Sequence, residues 1–173
     1  MELKNVEFKA YAKDLTVLEE RLGVLNPVLE GVYKQVDTYY NVPIGRVKLR
    51  EYDDFSSLIY YNRADGVDAK GSDVIYYKHE KNAALGAILE LQFGIKVRVS
   101  KVRKVLRYKN VSIHLDQVEG LGSFVEVEAC SVDAIEGVSL KEQCDEFFSL
   151  LELKKEDLVA VSYSDLILMK NEE

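Results

Sequence analysis

Residues 45–50 read Gly-Arg-Val-Lys-Leu-Arg. In an extended strand successive side chains point to opposite faces, so Arg46, Lys48 and Arg50 share one side while Val47 and Leu49 share the other. A helix would scatter these three cations around its axis, whereas a strand lines them up. The same period of two recurs along the chain. Glu7 and Lys9 alternate with Val6 and Phe8 in Asn5–Tyr11, Lys101 and Arg103 share a face, His114 and Asp116 share a face, and Glu126 and Glu128 stand opposite Val125 and Val127. The chain must therefore fold largely as strands with one apolar face and one charged face.

The remaining segments fill in the element order. Strands are predicted at Asn5–Tyr11, Gln35–Asn41, Gly45–Tyr52, Leu58–Asn62, Val74–Glu80, Ile95–Tyr108, Val111–Val118 and Phe124–Cys130, with a turn at Ala64-Asp65-Gly66 and a hairpin at Lys109-Asn110. Helices are predicted over Asp14–Leu22, with Asp14 as cap and Gly23 as stop, over Asn82–Phe93, after Ser139, which has capping-box spacing to Glu142, and over Leu158–Met169. No repeat or Pro/Gly/Ser linker divides the chain. With 173 residues, 47% of them hydrophobic, residues 1–173 are read as one α+β domain with a buried core.

Charge and cysteine usage exclude several functions. The net charge of −7 repels nucleic acid and anionic membranes, so any site for a polyanion has to be local. Two cysteines, Cys130 and Cys144, without Cys-x-x-Cys spacing make neither a disulfide scaffold nor a zinc ribbon. No run approaches a membrane span and no apolar leader follows Met1, so a cytoplasmic location is expected, as a monomer or a homodimer without nucleic-acid or membrane partners.

A sheet's charged face is ordinarily its wet face. Here, however, cation-rich strands alternate with strands of paired carboxylates. About eight strands closed into a barrel would turn these faces inward, and such a lumen would bind a compact polyanion together with a divalent metal. His114 reads more simply as a hydrogen-bonded structural residue, and the tyrosine pairs as cross-strand packing as much as base-stacking platforms.

Asn5-x-Glu7-x-Lys9, Gln35-x-Asp37-x-Tyr39-Tyr40, Gly45-Arg46-x-Lys48-Leu49-Arg50-Glu51, Lys101-x-Arg103, Ile113-His114-Leu115-Asp116-x-Val118-Glu119-Gly120-Leu121-Gly122-x-Phe124-x-Glu126-x-Glu128 and Ser162-Tyr163-Ser164-Asp165-Leu166 follow one another in an order and spacing that resembles the CYTH superfamily. Its members are triphosphate tunnel metalloenzymes, including class IV adenylate cyclases, thiamine triphosphatases and inorganic triphosphatases. The resemblance implies an eight-stranded antiparallel β-barrel, the triphosphate tunnel, with flanking helices. It implies that Glu7, Glu126 and Glu128 hold Mg²⁺ or Mn²⁺, with Asp116 facing the tunnel as a further metal-side carboxylate. Lys9, Arg46, Lys48, Arg50, Lys101 and Arg103 would grip the triphosphate, joined by Arg63 and Lys78. Two positions depart from the family pattern. Asn5 stands where the fullest signature has a first glutamate, and its amide can coordinate a hard cation but brings no negative charge. Ser112 stands where relatives commonly carry Arg.

The expected reaction is metal-dependent hydrolysis of a small-molecule triphosphate, inorganic or organic, with Glu7 and Lys9 as catalytic residues and Lys9 orienting the attacking water. Class IV adenylate cyclase chemistry, ATP to cyclic AMP and pyrophosphate, is the alternative. A non-catalytic polyphosphate binder is the third reading.

Overall fold

The computed structural model describes residues 5–62, 73–131 and 137–172. Among these lie eight strands and four helices: β1 (Asn5–Tyr11), α1 (Leu15–Leu22), β2 (Val28–Tyr40), β3 (Arg46–Glu51), β4 (Phe55–Asn62), β5 (Asp73–Glu80), α2 (Ala83–Phe93), β6 (Ile95–Tyr108), β7 (Val111–Val118), β8 (Gly122–Cys130), α3 (Leu140–Leu150) and α4 (Tyr163–Asn171). The strands form one eight-stranded sheet in the order β1-β8-β7-β6-β2-β3-β4-β5. Strand number and antiparallel sense agree with the alternation in the sequence. The order begins at β1 and ends at β5, and among the described residues no pairing joins those two strands. Alternation states which face a residue takes and does not state which strand lies beside it.

The chain divides into two compact units. The first comprises residues 1–33 and 102–162. In it β8 pairs with β1 on one side and β7 on the other, with Glu7 opposite Glu128, Lys9 opposite Glu126 and His114 opposite Glu126. The inward face carries Ile113, Leu115, Val125 and Val127, each at most 3% exposed, packed with Leu18 and Leu22 of α1 and Phe147 and Leu151 near α3. Asp14 caps α1 by accepting from the Thr16 N–H, and Ser139 with Glu142 forms a reciprocal capping box on α3. The Lys109-Asn110 turn is locked down by Asn110, whose amide donates to the Cys130 carbonyl and exchanges two hydrogen bonds of 2.8 and 2.9 Å with Gln143.

The second unit comprises residues 34–101 and 163–173. Here β2, β3, β4 and β5 pair in sequence, placing Asp37 opposite Arg50 and Tyr39 opposite Lys48. Leu49, Ile59, Val97 and Val99 are buried, and Gly86 of α2 lies over Leu49, where an added Cβ would meet the leucine at 3.5 Å. Gly45 turns the chain into β3 with φ +65°, a conformation that glycine adopts without a Cβ penalty.

Two segments differ from the sequence reading. β2 begins at Val28 rather than Gln35, and its early residues are mostly exposed, so alternation in burial does not mark them. Within that stretch the end of the Tyr33 ring lies over Gly31, where an added Cβ would meet it at 2.6 Å and turn the exposed ring aside. The last helix begins at Tyr163, not Leu158. Leu158 instead bridges Ala10 and the Val159 N–H donates to the Lys9 carbonyl at 2.8 Å, so pairing along β1 overrides the helical spacing of the apolar residues.

Candidate functional site

The charged strand faces become two ion clusters, one in each unit. In the first unit Arg103 donates two hydrogen bonds to Asp116, of 2.8 and 2.7 Å, in the fork geometry that guanidinium and carboxylate share. Asp116 is fully buried. The same guanidinium lies 3.9 Å from Glu126, whose other oxygen faces Lys9 Nζ at 3.5 Å. His114 bridges from the side: Nδ1 lies 3.2 Å from Glu126 Oε1 and Nε2 lies 3.1 Å from Ser112 Oγ. Burial alone would raise the Glu126 carboxyl, but the His114 hydrogen bond and the charges of Arg103 and Lys9 hold it far below the ordinary carboxylate range. Glu126 is therefore ionised throughout the physiological range.

One turn along the same face, Glu7 and Glu128 stand directly opposite each other on β1 and β8. Like charges at such a pair are destabilising unless a cation or donor lies with them. Asn5 supplies one donor, its amide giving a 2.6 Å hydrogen bond to Glu128 Oε1. Three carboxylates, Glu7, Glu126 and Glu128, so lie along one charged face, a set of hard oxygen donors of the kind Mg²⁺ or Mn²⁺ takes. Among the described residues no group of three or more such side chains is already drawn in to coordinating distance.

In the second unit Asp37 is the centre. It is 1% exposed and receives two hydrogen bonds of 2.6 Å from Arg50, with Lys48 Nζ at 3.2 Å and Lys101 Nζ at 3.5 Å. Burial would raise this carboxyl, yet the Arg50 hydrogen bond and the charges of Lys101, Arg50 and Lys48 hold it well below its usual range. Reciprocally, burial would lower Arg50, and Asp37 more than reverses that. One buried carboxylate gathers three cations in a site shielded from water, where charges act more strongly than on a surface. Lys48 Nζ also lies 3.3 Å from the Tyr39 hydroxyl, and Lys101 sits 5.6 Å from the centre of the Tyr163 ring. Burial, with Tyr61 and Asp37 nearby, pushes the Tyr39 phenol above its ordinary value, so it stays protonated. Gln35, two residues before Asp37, is 4% exposed, and its Oε1 has no hydrogen-bond partner among the described residues.

Of the residues singled out in the sequence, Lys48, Arg50 and Lys101 gather on Asp37, while Lys9 and Arg103 gather on Glu126. Arg46 pairs with Asp165 of α4 at 3.5 Å. Lys78 is exposed and lies over the Phe55 ring at 4.0 Å. Arg63 lies outside the described residues, as does the turn at residues 64–66. Asp116, expected beside the metal, accepts from Arg103 through both oxygens. Sequence reading gave no role to Asp37, although an acidic residue in a strand that precedes the cation-bearing Arg46–Arg50 strand is the signal that marks it.

Buried carboxylates that hold arginines and lysines along the polar face of an antiparallel sheet suit a protein that handles a compact anion of high charge. The CYTH domain family matches residues 3–163, and the chain belongs to that family, whose enzymes act on triphosphates as triphosphatases or adenylate cyclases and depend on metal ions. A candidate adenylate cyclase of Methanocaldococcus jannaschii is 29% identical over 68 residues, a match spanning 39% of this chain and 39% of that relative. The chain is therefore aligned with well under two thirds of that relative's length. Among solved structures, a conserved hypothetical protein of Pyrococcus furiosus superposes with a TM-score of 0.77 at 24% identity, covering 94% of this chain and 99% of that one. A Hippeastrum protein described as a candidate adenylyl cyclase with a dominant triphosphatase activity superposes with a TM-score of 0.64 at 14% identity, covering 100% and 97%. No helix among the described residues is long and apolar enough to cross a membrane.

Proposed function

We propose that the protein is a metal-dependent triphosphatase, cleaving a phosphoanhydride bond of a small triphosphate. The observation that carries this reading is the Asp37 cluster, in which one buried carboxylate gathers Lys48, Arg50 and Lys101 in one place. Phosphoryl transfer asks little covalent work of a protein: it needs phosphates held in place and growing negative charge met by fixed cations. Lys48, Arg50 and Lys101 take phosphate oxygens; Arg103, Arg46, Lys78 and Arg63 are the further phosphate-gripping candidates that the family pattern supplies. Asp116 fixes the Arg103 fork in one orientation before substrate arrives. Lys9, held beside Glu126, orients the attacking water. Glu7, Glu126 and Glu128 are the residues that would hold Mg²⁺ or Mn²⁺, and the ion when bound supplies charge neutralisation on the phosphates.

Adenylate cyclase chemistry is the second reading, favoured by the relatives named for it. Phosphorus NMR separates the two. Incubation with tripolyphosphate and, separately, with ATP, each with Mg²⁺ and then Mn²⁺, should give orthophosphate with pyrophosphate from tripolyphosphate. Pyrophosphate with a cyclic nucleotide from ATP would replace the hydrolase by the cyclase, and silence with both would leave thiamine triphosphate as substrate or a binding module.

A further inference from the structure

α2 is an apolar helix that its own fold leaves uncovered. Of its 11 residues only Glu90 and Gln92 are polar, yet none is buried. A helix that is apolar on every side belongs in a protein interior. One side is accounted for: Leu85, Gly86 and Leu89 are half-buried, and Gly86 lies over Leu49 of β3. Ala84, Ala87, Ile88 and Leu91, spaced i, i+3, i+4 and i+7, form the opposite stripe. All four are exposed, Leu91 at 82% and Ile88 at 57%.

The sheet beside this helix has a matching gap. Strand register sets Leu49, Leu58 and Tyr77 in one row across β3, β4 and β5, and Val47, Tyr60 and Ile75 in the next, all on the side where α2 lies. Leu58 and Tyr60 are half-buried, while Ile75 and Tyr77 are 65% and 61% exposed. Neighbouring strands are about 4.8 Å apart, so β4 and β5 leave a lane about 10 Å wide beside α2, the width of one further helix. Neither the two rows nor the outward stripe contains a charged residue.

The lane lacks an apolar helix and α2 lacks an apolar cover, and a second copy of the chain supplies both at once. The area is sufficient: the lane and the stripe together present roughly 700 Å², more than the apolar patch of an ordinary monomer and close to what each partner contributes to a standard interface. We propose that two copies pair about a two-fold axis, the outward stripe of α2 from each lying in the β4–β5 lane of the other. The contact is isologous, made twice, and encloses the two helices between two sheets. The net charge of −7 on each copy opposes the association, so apolar burial has to drive it.

The test is analytical ultracentrifugation of the full chain from about 1 to about 100 μM. A dimer should appear, and its dissociation constant should fall as NaCl is added, because screening weakens the repulsion between like-charged copies. Leu91→Glu and Ile75→Lys, both at positions exposed in the single chain, should each raise that constant at least about tenfold, whereas Val24→Glu, at a position 75% exposed in the first unit, should not. An equimolar mixture of the Leu91→Glu and Ile75→Lys chains should give a mixed dimer at least about tenfold tighter than either variant alone, since one helix-in-lane contact is then native and the other sets the new carboxylate in a lane bearing the new ammonium. The wild-type measurement stands whatever the variants do to folding. A monomer throughout the range overturns the proposal, and if that monomer sediments with phosphatidylcholine vesicles until Leu91→Glu releases it, the face belongs to a bilayer. A dimer that Leu91→Glu leaves intact, or two variants that gain nothing on mixing, overturns the proposal as well.

Discussion

Asp37 and Asp116, which hold Lys48, Arg50, Lys101 and Arg103, are themselves buried, and this sets what single substitutions do. Removing Asp37 takes from Arg50, Lys48 and Lys101 the carboxylate they share, which is 1% exposed. Breaking a buried pair from one side costs about 3–5 kcal/mol. Asp37→Ala should therefore lower the urea midpoint steeply, and Asp37→Asn, which keeps one acceptor, should lower it less. Lys48→Ala or Arg50→Ala removes one charge-assisted contact to phosphate, worth about 1.5–3 kcal/mol, so triphosphate affinity should fall at least several-fold by calorimetry. The triphosphate reading is falsified if neither change alters affinity. Asn5 raises a separate question. Its amide occupies Glu128, in a position where a carboxylate would add charge to the facing Glu7 and Glu128. Asn5→Glu should then raise the hydrolysis rate and the affinity for Mn²⁺ together. An increase in neither would place the metal elsewhere.

At the scale of elements, α3 is tied to the β6–β7 turn by the Asn110–Gln143 amide pair, whose members are 3% and 4% exposed. Gln143→Leu leaves Asn110 partly unsatisfied and should cost about 1–3 kcal/mol. In a double-mutant cycle with Asn110→Ala the two losses should fall short of additive, because the second change removes the group stranded by the first. Additive losses would show that the pair does not couple. Elements also mark how far the sequence could be read. β1, β3, β7 and β8 were legible because a charged face against an apolar face leaves one periodicity, and the helix starts were legible because Asp14, Asn82 and Ser139 carry cap chemistry that is local in sequence. The early half of β2 was not, since its residues are exposed on both sides. The segment after Leu158 was misread, because a pattern that suits a helix was captured by the edge of β1. Asp37 escaped for a related reason: its partner Arg50 lies 13 residues away and is brought opposite by strand register, a quantity absent from any local window.

For the whole molecule the depressed carboxyls of Asp37 and Glu126 decide the acid limb of stability. Both lie well below their ordinary values of 3.8 and 4.5 when folded. The unfolded chain therefore binds more protons than the folded one as pH drops through that region, and the contribution of these groups, fully present above it, is lost as pH falls. Unfolding free energy from urea titrations should hold steady, as far as these groups are concerned, from pH 8 to about 5.5 and decline steeply below about pH 4.5. Asp37→Asn should show a shallower decline. An equal slope in that variant would assign the acid limb to other carboxylates. The buried clusters bear on heat as well as acid. Hydration of ions becomes less favourable on warming, so the penalty for having withdrawn Asp37, Arg50, Lys101, Asp116 and Arg103 from water shrinks while their mutual attraction persists. A chain that binds its charges in this way keeps a growing share of its cohesion as temperature climbs, and its phosphate grip is assembled from the contacts that heat weakens least.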